Sequence, residues 1–118
     1  IFYNNGSISK INRLTKKGIK LIKVPVNKTN FFDLKLILSK IYSLGCRNLL
    51  VEGGKNLTNS FLSNNLCNQF YLFKSSNKFG SSGKLNVSSE LNLLNYVYKN
   101  SKKLNTYTDE DIIKLYSK

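Results

Sequence analysis

The stretch Asn48-Leu49-Leu50-Val51-Glu52-Gly53-Gly54-Lys55-Asn56-Leu57 decides how the chain is read. Leu49, Leu50 and Val51 form a short apolar run of the kind that a parallel sheet buries. Glu52-Gly53-Gly54 closes the run abruptly, and a helix is predicted over residues 56–64 with Leu57, Phe61 and Leu62 on its buried face. Two glycines between a strand and a helix let the backbone approach a ligand closely and leave helix N–H groups pointing outward. Those groups, together with the partial positive charge of a helix amino terminus, suit a phosphate. A tight turn by itself also calls for glycine, and on these residues alone both readings stand. Glu52 is open in the same way. At the carboxyl edge of an open α/β sheet it can accept hydrogen bonds from a ribose, an amine or a ring N–H; alternatively it satisfies backbone donors of the helix that follows.

Upstream, the alternation of elements continues. Ile1-Phe2-Tyr3 is β-branched and aromatic and runs into the turn residues Asn4-Asn5-Gly6. Ser7 or Ser9 caps a helix through about Lys17 that carries Ile8, Ile11 and Leu14 and is ended by Gly18. Residues 19–26 alternate apolar side chains with Lys20 and Lys23, and Pro25 marks a strand end or an edge. Asn30 or Asp33 caps the next helix, where Leu34, Ile37, Leu38, Ile41 and Tyr42 form a helical stripe that ends at Leu44-Gly45. The pattern to residue 64 is β-α-β-α-β-α, which calls for a parallel sheet with right-handed crossovers.

Downstream the pattern changes. Residues 69–74 alternate around Phe70, Leu72 and Phe73 as a strand, followed by a polar, glycine-bearing loop over residues 75–83. Tyr96-Val97-Tyr98 is read as a further strand, residues 100–105 as a polar turn, and residues 112–116 as the last strand. Mostly antiparallel strands are therefore expected after the parallel βαβ units, with no internal repeat, no linker and no second domain.

Composition sets the limits. With 118 residues, 41% of them hydrophobic and 12% aromatic, the chain has enough apolar material for one modest core and too much for a disordered segment. No apolar run approaches the roughly 20 residues of a membrane helix, so a soluble, cytoplasmic protein is expected. Lys and Arg number 19 against 6 acids, a net charge of +13, which raises the question of nucleic acid. The basic residues are scattered through every segment, and only Arg13 and Arg47 offer the guanidinium fork that base edges and phosphates favour. A Lys-rich solvated surface accounts for this better than a nucleic-acid interface. There is no His, which excludes a His-based triad or general base within the chain, and Cys46 and Cys67 lack metal-ligand spacing and are read as small core fillers. No metal site is expected.

The run over residues 48–57 with Ser60-Phe61-Leu62 behind it carries a resemblance, joined by Phe70-Tyr71-Leu72-Phe73, Lys78-Phe79-Gly80-Ser81-Ser82-Gly83 and Asp111-Ile112-Ile113-Lys114-Leu115-Tyr116. Together they resemble the carboxyl-terminal reductase domain of the bifunctional riboflavin-biosynthesis deaminase/reductase, of the dihydrofolate-reductase-like superfamily. The resemblance covers essentially the whole chain. It implies a dihydrofolate-reductase-like α/β fold with a mixed sheet, a homodimer, and NADPH-dependent reduction of 5-amino-6-(5-phosphoribosylamino)uracil to its ribitylamino form. By motif match, Glu52 contacts substrate, while Gly53 and Gly54, with Lys55, Asn56, Leu57, Thr58, Asn59 and Ser60 opening the helix, cradle the cofactor phosphates. Lys55 stands where the family often has Pro, and its ammonium either adds to phosphate binding or faces solvent.

Three departures go with the resemblance. Asn68-Gln69 replaces an acidic pair that usually opens the family's next strand. The family's domain is longer, and Ile1 at the start of a chain without Met implies a partial domain whose early strands, with much of the substrate and cofactor contact set, lie elsewhere. The zinc motif of the deaminase half is absent from the sequence, so that activity cannot reside here. Two further readings remain beside the reductase: a dihydrofolate-reductase-like reductase of different substrate, and a basic nucleic-acid-binding or structural α/β module without catalysis.

Overall fold

The structure is a computed structural model in which residues 1–77, 80, 83, 86–105 and 110–118 are described. The chain forms two compact units, Ile1–Leu50 and Val51–Lys118. It is mixed α/β, with a parallel two-stranded sheet in the first unit and an antiparallel three-stranded sheet in the second.

In the first unit, β1 (Phe2–Tyr3) pairs in parallel with β2 (Ile22–Lys23) across the intervening helix α1 (Ile8–Lys16). Ser7 is the cap of α1, its side chain accepting from the Lys10 N–H at 3.3 Å. Asp33 caps α2 (Leu34–Ser43) by accepting from the Lys35 and Leu36 N–H groups at 2.8 and 3.3 Å. Both helices end in a left-handed glycine, Gly18 at φ 73° and Gly45 at φ 90°, whose N–H bonds back to Thr15 and Tyr42. Asn30 is not a helix cap. It takes φ 64° inside a turn that Asn27 organises, its Oδ1 accepting from the N–H groups of Thr29 and Phe31.

Two expectations for this region are corrected. The strand predicted over residues 19–26 is paired in parallel only at Ile22–Lys23, because Pro25 has no N–H to donate and the chain then turns into an isolated antiparallel bridge between Val26 and Phe32. The buried strand predicted at residues 48–51 is not formed. Leu49, Leu50 and Val51 are 47%, 79% and 36% exposed, and no strand among the described residues pairs with them. An apolar run becomes a buried strand only when neighbours occupy both its hydrogen-bonding edges, and the sheet beside β1 holds two strands.

The second unit contains α3 (Lys55–Ser63), β3 (Gln69–Lys74), α4 (Ser88–Val97), β4 (Asn100–Leu104) and β5 (Ile112–Ser117). The strand order is β3-β5-β4, with every pairing antiparallel. One face of this sheet builds the core: Tyr116, opposite Phe70, packs with Leu62 of α3 and with Leu94 and Tyr98 of α4 and its end. The Tyr98 and Tyr116 rings stand tilted with centroids 6.3 Å apart, and the Tyr98 hydroxyl donates to the Cys67 carbonyl at 3.0 Å.

Here too the structure departs from expectation. Tyr96 and Val97 are the end of α4 and Tyr98 its C-cap, rather than a strand, since Leu93 with Val97 and Leu94 with Tyr98 repeat at four residues and turn one face to the core. The predicted polar turn at residues 100–105 is in fact β4, an exposed edge strand in which only Leu104 is half-buried. Its sequence, Asn-Ser-Lys-Lys-Leu, therefore lacks the apolar alternation by which strands are read. Of the loop predicted over residues 75–83, residues 78, 79, 81 and 82 lie outside the described residues.

Candidate functional site

The site begins at the turn into α3. Gly54 is the N-cap, at φ −71° and ψ 179°, a conformation open to any residue. Its C=O accepts the first helical bond, from the Thr58 N–H at 3.1 Å, and it has no side chain to accept from the N–H groups of the first turn. The two glycines differ in what surrounds them. A Cβ on Gly53 would stand 2.7 Å from Leu57 Cδ2 and 2.9 Å from Leu57 Cβ, so Gly53 is required by the close approach of its own helix. A Cβ on Gly54 would meet nothing within 4 Å among the described residues. Gly54 borders an open depression of about 370 Å³ lined by Gly54, Lys55, Asn56 and Leu57. Backbone donors, a helix dipole and unfilled space thus coincide at one place.

The predicted residues divide around this depression. Glu52, two residues before Gly54, is exposed, does not line the depression, and makes no hydrogen bond or ion pair among the described residues, so the local capping role open to it in the sequence is not taken up. Thr58 Oγ1 donates to the Gly53 carbonyl at 3.4 Å and Ser60 Oγ donates to the Asn56 carbonyl at 2.9 Å, which turns both hydroxyls onto the helix backbone. Asn59 Oδ1 accepts from Ser63 Oγ at 3.4 Å, one turn further along. Of the residues expected at the phosphates, Gly54 to Leu57 surround the depression, while Thr58, Asn59 and Ser60 do not line it.

Lys55, read from the sequence as a phosphate contact or a solvent-facing side chain, is partly exposed and turned to a neighbouring element. Its ammonium donates to the Asn86 carbonyl at 2.6 Å and lies 3.8 Å from Glu90 Oε2, in the first turn of α4. Glu90 is 7% exposed and also accepts from Ser89 Oγ at 2.8 Å. Burial alone would push the Glu90 carboxyl up. The Ser89 hydrogen bond, its own backbone N–H and the Lys55 charge together outweigh burial and hold it below the usual carboxylate value.

A model of the RibD C-terminal domain matches residues 5–110. The chain belongs to the RibD C-terminal domain family. Among curated proteins none matches it. Membership in the RibD C-terminal domain family assigns the chain generally to the reductase of riboflavin biosynthesis, and the Glu52-Gly53-Gly54 turn lies inside the matched region.

Sequence reading missed Glu90, Asn86 and Ser89 altogether. The one available signal is an acid in the first turn of a helix, which the dipole favours; it is hidden because the sequence reading assigns no element to residues 84–95 and a strand to Tyr96-Val97-Tyr98. Cys67 is half-buried against the core cluster, and burial pushes its thiol up more than the Tyr98 hydrogen bond and the Lys118 charge pull it down. That is the chemistry of a packing residue. Among the described residues no helix is long and apolar enough to cross a membrane, and no group of three His, Cys, Asp or Glu gathers as metal ligands would.

Proposed function

We propose that the chain acts in the NADPH-dependent reduction of 5-amino-6-(5-phosphoribosylamino)uracil to the ribitylamino product, as a cytoplasmic homodimer with a dihydrofolate-reductase-like arrangement of its sheet. The observation that carries the cofactor assignment is Gly54, a helix N-cap with no side chain and with open space where a Cβ would stand, beside a depression walled by the first turn of α3. A dinucleotide pyrophosphate is the ligand that such donors and such space accommodate. Gly54, Lys55, Asn56 and Leu57 would border it, with Gly53 setting the turn and Thr58, Asn59 and Ser60 extending the helix behind.

Bound NADPH would supply the hydride that converts the carbon of the opened ribose to a methylene. The chain's part is to bind and orient: the α3 amino terminus takes the phosphates, and Glu52, exposed and unpaired among the described residues, accepts hydrogen bonds from the aminopyrimidine. A phosphoribosyl-aminopyrimidine and a second copy of the chain are its partners in this reading. Titration with NADPH, followed by nicotinamide emission, tests it. Saturable binding that Gly54→Val weakens, beside NADPH oxidation coupled to appearance of the ribitylamino product, supports the assignment. Affinity unchanged in a folded Gly54→Val variant would remove the cofactor from this turn.

A further inference from the structure

Lys55 and Glu90 are brought together from two helices, with a carbonyl, a hydroxyl and two opposite charges in one cluster. Lys55 is the first residue of α3 and one of the four that line the depression. Its ammonium nevertheless reaches the amino-terminal end of α4: the carbonyl of Asn86, two residues before the helix, at 2.6 Å, in the residue whose Oδ1 also accepts the Ser88 N–H at 2.8 Å, and Glu90 in the first turn at 3.8 Å. Glu90 is the one charged residue among the buried side chains described. A carboxylate so placed is costly to leave without its cation, and Lys55 is the one ion-pair partner it has among the described residues. Swinging Lys55 toward a bound phosphate would strand that carboxylate and the Asn86 carbonyl together.

We propose that Glu90 is a positioning residue for the cofactor cradle: it holds Lys55 against α4, anchors the first turn of α3 there, and leaves phosphate recognition to backbone N–H groups. The proposal rests on the reading of the α3 turn as the NADPH site. Its physical content is a lock between two helices whose loss misplaces donors that must converge on one group. Lys55 then serves as the second half of the lock, with no direct contact to phosphate.

The test is a double-mutant cycle in the 118-residue chain with Lys55→Met, Glu90→Gln and the pair. Thermal unfolding and NADPH affinity are both measured, the latter well below every unfolding midpoint and over about 50 to 200 mM salt. Each single variant should weaken NADPH roughly ten-fold, the pair no more than either alone, with the wild-type salt dependence kept; coupling of that size is what residues in one network show. Lys55→Arg, which keeps cation and donor, should restore binding. A Lys55→Met variant that alone flattens the salt dependence, with Glu90→Gln binding more tightly than wild type, would make Lys55 a phosphate ligand and overturn the proposal. Additive effects, or none, would overturn it as well. If the wild-type chain does not bind NADPH, the cofactor reading fails by itself, and the lock is judged on unfolding: coupling between the two substitutions upholds the anchoring of α3 to α4, and additivity removes it.

Discussion

Substituting the two adjacent glycines should separate stability from binding. In Gly53→Ala the new Cβ meets Leu57 Cδ2 at 2.7 Å and Leu57 Cβ at 2.9 Å. The first contact is relieved by rotation, since Leu57 is 38% exposed and its side chain can swing outward. The second is not, because that Cβ is fixed to the helix backbone, and the turn must shift. Overpacking of this kind costs about 1–3 kcal/mol, offset by about 0.4–1 kcal/mol of lost freedom in the unfolded chain. The net loss is about 0.5–2 kcal/mol, and at about 4–8 °C per kcal/mol the midpoint should fall by several degrees. Gly54→Ser places a Cβ that meets nothing within 4 Å among the described residues, starts from an allowed φ of −71°, and adds an N-cap hydroxyl. Its stability should equal or exceed wild type by a few tenths of a kcal/mol. Yet the same hydroxyl takes a first-turn N–H and enters the depression, so NADPH should bind more weakly. Circular dichroism melts and nicotinamide fluorescence on the two variants read both quantities. A Gly53→Ala protein that melts with wild type, or a Gly54→Ser protein that binds NADPH unchanged, would refute the division of labour between the glycines.

Three further outcomes are expected. Glu52→Gln keeps the shape of an exposed side chain and should leave the melting temperature and NADPH affinity unaltered while raising KM for the pyrimidine substrate; loss of NADPH binding in the folded variant would reverse the roles assigned at this turn. Leu94→Ala empties a position that is 1% exposed at the centre of the second unit, and should cost about 2–5 kcal/mol in denaturant unfolding. The Tyr98 phenol is pushed up to about 12 by burial and by the neighbouring Cys67 thiol and hydrogen bond, from an ordinary value of 10.0. Between those two values the unfolded chain releases this proton while the folded chain retains it, so stability falls as pH rises through that window. Tyr98→Phe should remove that component of the decline and delete a phenol that titrates near 12 from a tyrosinate absorbance titration; an unchanged titration curve would contradict the burial argument.

Local chemistry was legible along the chain. Ser7, Asp33, Gly18 and Gly45 cap or end helices where their side chains, or the lack of one, act on the nearest backbone groups. The Glu-Gly-Gly turn and the start of α3 were readable for the same reason, since a backbone conformation and a helix terminus depend on residues a few positions apart. Strand residues 69–74 and 112–116 were readable because half-buried alternation survives in an antiparallel sheet. What distant neighbours decide was not legible. β4 forms because β5 offers it an edge, although nothing in Asn-Ser-Lys-Lys-Leu alternates. Tyr96 and Val97 became helical, with Tyr98 as the C-cap, because Leu94 and Tyr98 share the core with Tyr116, and Leu49-Leu50-Val51, apolar enough for a strand, found no partner among the described residues. The same division runs through the site. Sequence alone located the turn and its glycines, but only the tertiary structure separated Gly53, crowded by Leu57, from Gly54, bordered by open space. It alone gave the Lys55 charge to a carboxylate on another helix, because an ion pair is set by distance in space, and residues 31 and more positions apart carry no mark of it along the chain.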